Sequence, residues 1–242
     1  MIQKILNIAK LAQTTQNNQI KSFNTTLPLL LEILQKSKMG YKLKLGNATI
    51  EAKSGAELQI GAKYWAIVKE KDGELIISGL KKRPQIAESA KNSPLKFDIS
   101  DLPNLFKNAK GANFVGEFYE NLVDKITNTH YKDEFNFLTN SLVALQNGIL
   151  NLVIREQKRD FLLQIKKQKN DKIEFSAVFN NLGIINGSLY KNDILHLVVQ
   201  YENVKKLLEN NIDSLNFKEI HISLNEHCEI LFDAQCENSF SA

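Results

Sequence analysis

Lys172-Ile173-Glu174-Phe175-Ser176-Ala177-Val178-Phe179-Asn180-Asn181-Leu182-Gly183-Ile184-Ile185-Asn186-Gly187-Ser188-Leu189-Tyr190 is the stretch that decides the fold. Ile173, Phe175, Ala177 and Phe179 alternate with Lys172, Glu174 and Ser176, the period of a strand with one covered face. Leu182-Gly183 marks a tight turn, because Gly tolerates backbone angles that other residues avoid. Ile184 to Tyr190 then resumes the strand pattern and returns through Lys191-Asn192-Asp193 into Ile194 to Tyr201. Upstream, Ile149 to Ile154 and Phe161 to Ile165 are two more strands, joined by short charged turns that make them antiparallel neighbours. Downstream, Val204, Leu207, Leu208 and Ile212 form the inward stripe of an amphipathic helix, with Lys205, Lys206, Glu209 and Asn210 outward. Ile220, Ile222 and Leu224 alternate with Glu219, His221 and Ser223 in a closing strand.

Further towards the N-terminus the period changes. Phe135, Leu138, Leu142 and Leu145 define a helix stopped by Asn147-Gly148, and Phe114, Phe118, Leu122 and Ile126 define another. Ser100-Asp101-Leu102-Pro103 carries a cap residue and an early Pro, the start of a further helix. The polar stretch 81–94, bracketed by Pro84 and Pro94, is the best domain boundary. Before it, Tyr41 to Leu45, Thr49 to Ala52, Tyr64 to Val68 and Leu75 to Ile77 are four short strands with tight turns at Gly46-Asn47 and Asp72-Gly73, the pattern of a small barrel or curled sheet. Residues 1–39 carry helical spacing, first at Ile5, Ile8 and Leu11, then across Leu27-Pro28-Leu29-Leu30-Leu31 with Ile33 and Leu34. The expected class is therefore α+β: N-terminal helices plus a small antiparallel β-barrel, then helices and a mixed or antiparallel sheet covered by an amphipathic helix. The expected divisions are 1–85, 86–148 and 149–242.

A chain of 242 residues suits two domains, and 43% hydrophobic with 24% charged residues supplies buried cores and excludes wholesale disorder. No stretch approaches the apolar length that crosses a bilayer, and Gln3, Lys4 and Asn7 interrupt the N-terminal run, so no membrane insertion and a cytoplasmic location are expected. Cys228 and Cys236 are too few for a disulfide framework. The net charge of +4 is a small surplus, and its densest groups, Lys81-Lys82-Arg83 and Lys166-Lys167-Gln168-Lys169, are solvated clusters rather than a nucleic-acid stripe.

The run from Phe179 through Leu182-Gly183 to Leu189, followed by strand, amphipathic helix and strand, resembles the C-terminal core of the flagellar hook-length control family. The resemblance covers roughly residues 150–225, with Phe179 standing where that family has Pro. It implies a binding partner, the cytoplasmic domain of a FlhB-type export-gate protein, and a role in setting substrate specificity of flagellar type III export. It also implies partner binding through Leu182, Gly183, Ile185 and Gly187 and the adjoining strand edge. That family's N-terminal part is a long, unfolded, polar ruler. Here the first eighty residues are apolar and patterned, so the chain resembles a short relative without the ruler.

Enzyme motifs do not surface. No phosphate-cradling Gly loop, Gly-x-Ser-x-Gly elbow or His-Glu-x-x-His helix is present, so no catalytic residue and no cofactor is expected. His221, His227, Cys228 and Cys236 match no common zinc spacing, and His130 and His196 stand singly. The alternative function is nucleic-acid binding through Tyr64 and Trp65, flanked by Lys63 and Lys69, on an OB-like barrel. As aromatics in short strands, these rings are expected to pack in a core instead.

Overall fold

The computed structural model describes residues 27–38, 40–71, 74–100, 114–156 and 159–233. The helix expected around Ile5 to Leu11 and the one starting at Ser100 to Pro103 fall outside these residues or at their margin. Among the described residues the chain is α+β, with four α-helices and two sheets.

The first sheet holds β1 (Leu29–Ser37), β2 (Gly40–Leu45), β3 (Ala48–Ala52), β4 (Lys63–Lys71) and β5 (Glu74–Lys82). Its order is β3-β2-β1-β4-β5, all antiparallel, and it does not close into the expected barrel. β3 and β5 are edges because β1 occupies the centre, pairing with β2 on one side and β4 on the other. That corrects the helical reading of Leu29 to Leu34. A continuous apolar run fits either period, and here Leu31 and Ile33 are fully buried against β2 and β4 while a bulge after Ile33 turns Leu34 outward. Pairing on both sides overrides the local helical spacing.

The polar stretch 81–94 is folded: α1 (Gln85–Ser89) and a single 3₁₀ turn at Ala90–Asn92 bury Ile86, Ala87 and Ala90. β6 (Lys96–Asp98) follows. Then α2 (Phe114–Asn128) buries Phe118 and Leu122 on the spacing read from the sequence, whereas α3 (Lys132–Gln146) buries Phe137 and Leu138 and leaves Phe135, expected inward, 45% exposed. Asn147 caps α3, and Gly148, with φ of 73°, turns the chain into the second sheet.

That sheet contains β7 (Ile149–Glu156), β8 (Arg159–Lys167), β9 (Ile173–Phe179), β10 (Gly183–Leu189), β11 (Ile194–Val199) and β12 (Glu219–Leu224). The order is β12-β11-β10-β9-β8-β7-β6. β7 to β11 form an antiparallel meander, and β6 and β12 flank it in parallel pairings. Parallel neighbours need a crossover, supplied by α2 and α3 on one side and α4 (Glu202–Glu209) on the other. α4 buries Val204 and Leu208 as its stripe predicts.

The two sheets share apolar packing. Trp65 of β4 has no exposed surface and joins the cluster that contains Phe161, Phe179 and Ile184. Its indole N–H donates to the backbone oxygens of Phe179 at 2.9 Å and Asn180 at 3.1 Å. Arg83 Nη1 donates to Asn180 Oδ1 at 2.8 Å, and Tyr201 Oη donates to Gly79 O at 3.0 Å. Leu31, Ile33, Leu43 and Val68 make a second cluster belonging to the first sheet.

Candidate interaction site

The four residues expected to meet a partner lie inside the protein. Leu182 and Ile185 have no exposed surface, and Gly183 and Gly187 are buried too. Gly183 closes the three-residue turn between β9 and β10 with φ of 77°, and an added Cβ would lie 2.7 Å from Gln200 Oε1. Gly187 stands across from Phe175, whose ring covers it so closely that an added Cβ would fall 2.2 Å from the ring. These residues shape the turn that receives Trp65 and Arg83. The strands that this turn joins, β9 and β10, are both internal to the sheet, so no open strand edge adjoins it, contrary to expectation.

The face of the second sheet carries a feature that sequence reading missed. Asn151, Gln164, Ser176 and Asn186 are cross-strand neighbours on β7, β8, β9 and β10, so they share one face in a single row. A strap, residues 225–233, passes over this row without regular secondary structure. Gln200, just past β11, accepts from Ile184 N–H at 3.0 Å and donates to Cys228 O at 3.2 Å. Asn186 Nδ2 donates to Glu229 O at 2.7 Å, while its Oδ1 accepts from Ser176 Oγ at 2.6 Å. Gln164 makes two bonds to one residue: Nε2 donates to Phe232 O at 2.8 Å and Oε1 accepts from Phe232 N–H at 3.1 Å. Asn151 ends the row, 2% exposed, with both amide atoms buried and unpartnered. In sequence each of the four strands holds an uncharged polar residue among apolar ones, and β9 and β10 hold a second polar residue as well. Only the register shows that the four align.

Beside the strap lies a polar cleft of about 610 Å³ between α1 and α3, lined by Lys63, Glu88, Lys91, Asp133, Asn136 and Thr139. Glu88 is its electrostatic centre. It pairs with Arg83 Nε at 2.7 Å as a charge contact rather than an aligned hydrogen bond, with Lys91 Nζ at 3.0 Å, and with Lys63. Burial alone would raise the Glu88 carboxyl; the hydrogen bond from Lys63 and the charge of Arg83 outweigh it and hold the group below the usual range. Burial pulls the Arg83 guanidinium below its ordinary value, with Glu88 acting in the opposite sense. Three cations facing one carboxylate make a structural charge knot at the junction of the sheets.

Nucleophilic chemistry finds no support at the cysteine within the described residues. Burial pushes the Cys228 thiol up to about 11, so at neutral pH it is a thiol, donating to Asn225 O at 3.1 Å. Among the described residues no group of three or more His, Cys, Asp and Glu is placed to hold a metal ion. His196 and His221 are exposed on neighbouring strands with rings 4.7 Å apart, and His221 Nε2 meets Glu219 at 2.8 Å. Tyr64 is 8% exposed and Trp65 fully buried, so neither ring is open to stack on a base. Lys63 is engaged by Glu88, leaving Lys69 exposed. Among the described residues, no helix is long and apolar enough to cross a membrane. No family model matches this chain, and comparisons with curated proteins and with solved structures likewise return no match.

Among the described residues the outer edges of β3, β5, β6 and β12 are unpaired, and β12 is the one that belongs to the stretch carrying the resemblance. β12 pairs with β11 on one side, and among the described residues nothing pairs with its other side. Asn225 N–H donates to Val199 O at 2.9 Å. By the period of two, Ile220, Ile222 and Leu224 therefore turn their N–H and C=O groups towards the open edge.

Proposed function

We infer that this chain is a non-catalytic protein-binding module that acts at the flagellar type III export apparatus, in the cytoplasm. It engages the cytoplasmic domain of a FlhB-type export-gate protein and regulates which substrates pass. The partner comes from the resemblance of roughly residues 150–225 to the hook-length control core. Support for a binding role comes from one observation above all: the unpaired outer edge of β12, with three residues offering backbone donors and acceptors to an added strand. Leu182, Gly183, Ile185 and Gly187 serve this reading indirectly, by fixing the turn beneath the sheet.

The test is capture of a purified gate cytoplasmic domain by the full chain at two salt concentrations. Ile222→Pro removes an outward N–H, and Ile222→Ala controls for the lost side chain. Binding at both salts that weakens at least about tenfold with Pro, and little with Ala, supports the reading. Equal binding by both variants removes the β12 edge from the interface, and no capture at all removes the gate protein as partner. Recovery of nucleic acid that washes off with salt would favour the alternative function.

A further inference from the structure

His196 and His221 are direct cross-strand partners on β11 and β12, both exposed on the sheet face that also carries Ser176 and Asn186. Their ring centres stand 4.7 Å apart with planes at 70°. With metal–nitrogen bonds of about 2.0–2.1 Å, an ion lies roughly 3.2 Å from the centre of each imidazole ligand, so two ligands meeting at about 90–109° have centres about 4.5–5.2 Å apart. The observed separation falls inside that interval. The strand register fixes the two backbones, and rings this exposed turn freely about their own bonds to aim a nitrogen each at one point.

Glu219 stands two residues before His221 on the same face, and His221 Nε2–H donates to its Oε1 at 2.8 Å. That bond leaves the lone pair of the neutral ring on Nδ1 and limits the turning of the ring, as carboxylates do behind metal-bound histidines. On the other side, the Tyr190 ring lies 5.1 Å from His196, and the Lys172 ammonium above that ring is paired with Glu174 at 2.7 Å, which offsets its charge.

We propose that His196 and His221 chelate one divalent late first-row metal ion, with Glu219 as a positioning residue and water in the remaining coordination positions. Imidazole donors select borderline ions over Mg²⁺ and Ca²⁺, which favour oxygen ligands, and the usual order of affinities puts copper(II) ahead of nickel(II) and zinc(II). Among the described residues β12 joins the sheet only through β11, so an ion across this pair staples an outermost strand in place. The site uses side chains on the sheet face and not the open edge of β12, so this inference stands or falls separately from the export-gate reading.

The test titrates copper(II) by calorimetry, in a non-coordinating buffer at neutral pH, into the full chain without an affinity tag. Cys236→Ser removes a competing thiol. One ion should bind with a dissociation constant of about 100 μM or tighter, and electron paramagnetic resonance of the loaded chain should show two equatorial nitrogens. His196→Ala and His221→Ala, both at exposed positions, should each weaken binding at least about tenfold and leave one nitrogen in the spectrum. Glu219→Ala should weaken it about tenfold with both nitrogens kept, a combination that a ligand would not give. His227→Ala should bind as the parent does. Zinc(II) should raise the thermal midpoint of the parent and leave that of His196→Ala unmoved. Weaker binding by the parent, full affinity in either His196→Ala or His221→Ala, or loss of binding on His227→Ala overturns the proposal. Unchanged affinity in Glu219→Ala overturns its positioning role, and an unmoved parent midpoint at saturating zinc overturns the staple.

Discussion

Gly187 and Phe175 face each other across β9 and β10, and the ring fills the space where any other residue would carry a side chain. Phe175 is 1% exposed, so it has no open direction in which to yield. Gly187→Ala should therefore cost about 1–3 kcal/mol, seen as a lower urea midpoint with an unchanged slope. Glu88 acts through charge. Its carboxyl is depressed, so the stability it contributes is present above the ordinary Glu range and is lost as pH falls through the folded value. Unfolding free energy measured from pH 6 down to 3 should fall, and Glu88→Gln should flatten part of that fall. The same substitution should cost roughly 2–3 kcal/mol at neutral pH, because it leaves Arg83 buried without its counter-charge. An unchanged acid limb in the variant would show that Asp160, which is depressed by Arg155 and Lys96, carries the dependence instead.

At the scale of elements, the strap is a peripheral piece held mainly by side-chain amides. Gln164→Ala deletes both bonds to Phe232 and should let the strap open more often. In a Cys236→Ser background, thiol labelling of Cys228 reads that opening, and the expected acceleration is roughly 10- to 30-fold from the loss of about two net hydrogen bonds. An unchanged labelling rate would mean that the apolar anchors alone hold the strap. The elements differ in how far the sequence revealed them. β7 to β11 were legible as short apolar runs bounded by charged or Asn/Gly turns, although β7, β8 and β9 are covered on both faces; α2 and α4 were legible by their stripes, while the stripe of α3 in the sequence runs through Phe135, which is exposed, instead of Phe137, which is buried. β1 was not legible, since Leu29-Leu30-Leu31 fits a helix and a strand equally well and only the flanking β2 and β4 decide. α1 has five residues, too few for any periodic signal. The polar row escaped for a related reason: Asn151, Gln164, Ser176 and Asn186 are unremarkable in one strand, and cross-strand register is set by the whole meander. The turn at Leu182-Gly183 was legible as a turn, yet its burial was not, because what covers it arrives from Trp65, over a hundred residues earlier.

The whole molecule turns on that same tryptophan. Two sheets whose strands are separated in the chain by residues 83–95 would be expected to fold as separate units if only polar contacts joined them. Here Trp65 belongs by sequence to the first sheet and by packing to the core of the second, and its N–H satisfies the carbonyls of the turn that Gly183 closes. Arg83, Asn180, Tyr201 and Gly79 add two polar ties across the same junction. Separating the sheets would expose the indole and strand these groups, so the junction should open only with global unfolding. Trp65 is the sole tryptophan of the chain, and its fluorescence reports the junction alone. Urea unfolding followed by tryptophan emission should coincide with unfolding followed by far-UV circular dichroism, giving one midpoint from both probes. Trp65→Phe keeps an aromatic ring but removes the donor and part of the volume, and should lower the unfolding free energy followed by dichroism by about 2–3 kcal/mol. An emission change that precedes loss of secondary structure would instead mean that the two sheets part while each stays folded, with the Trp65 contact a hinge between them.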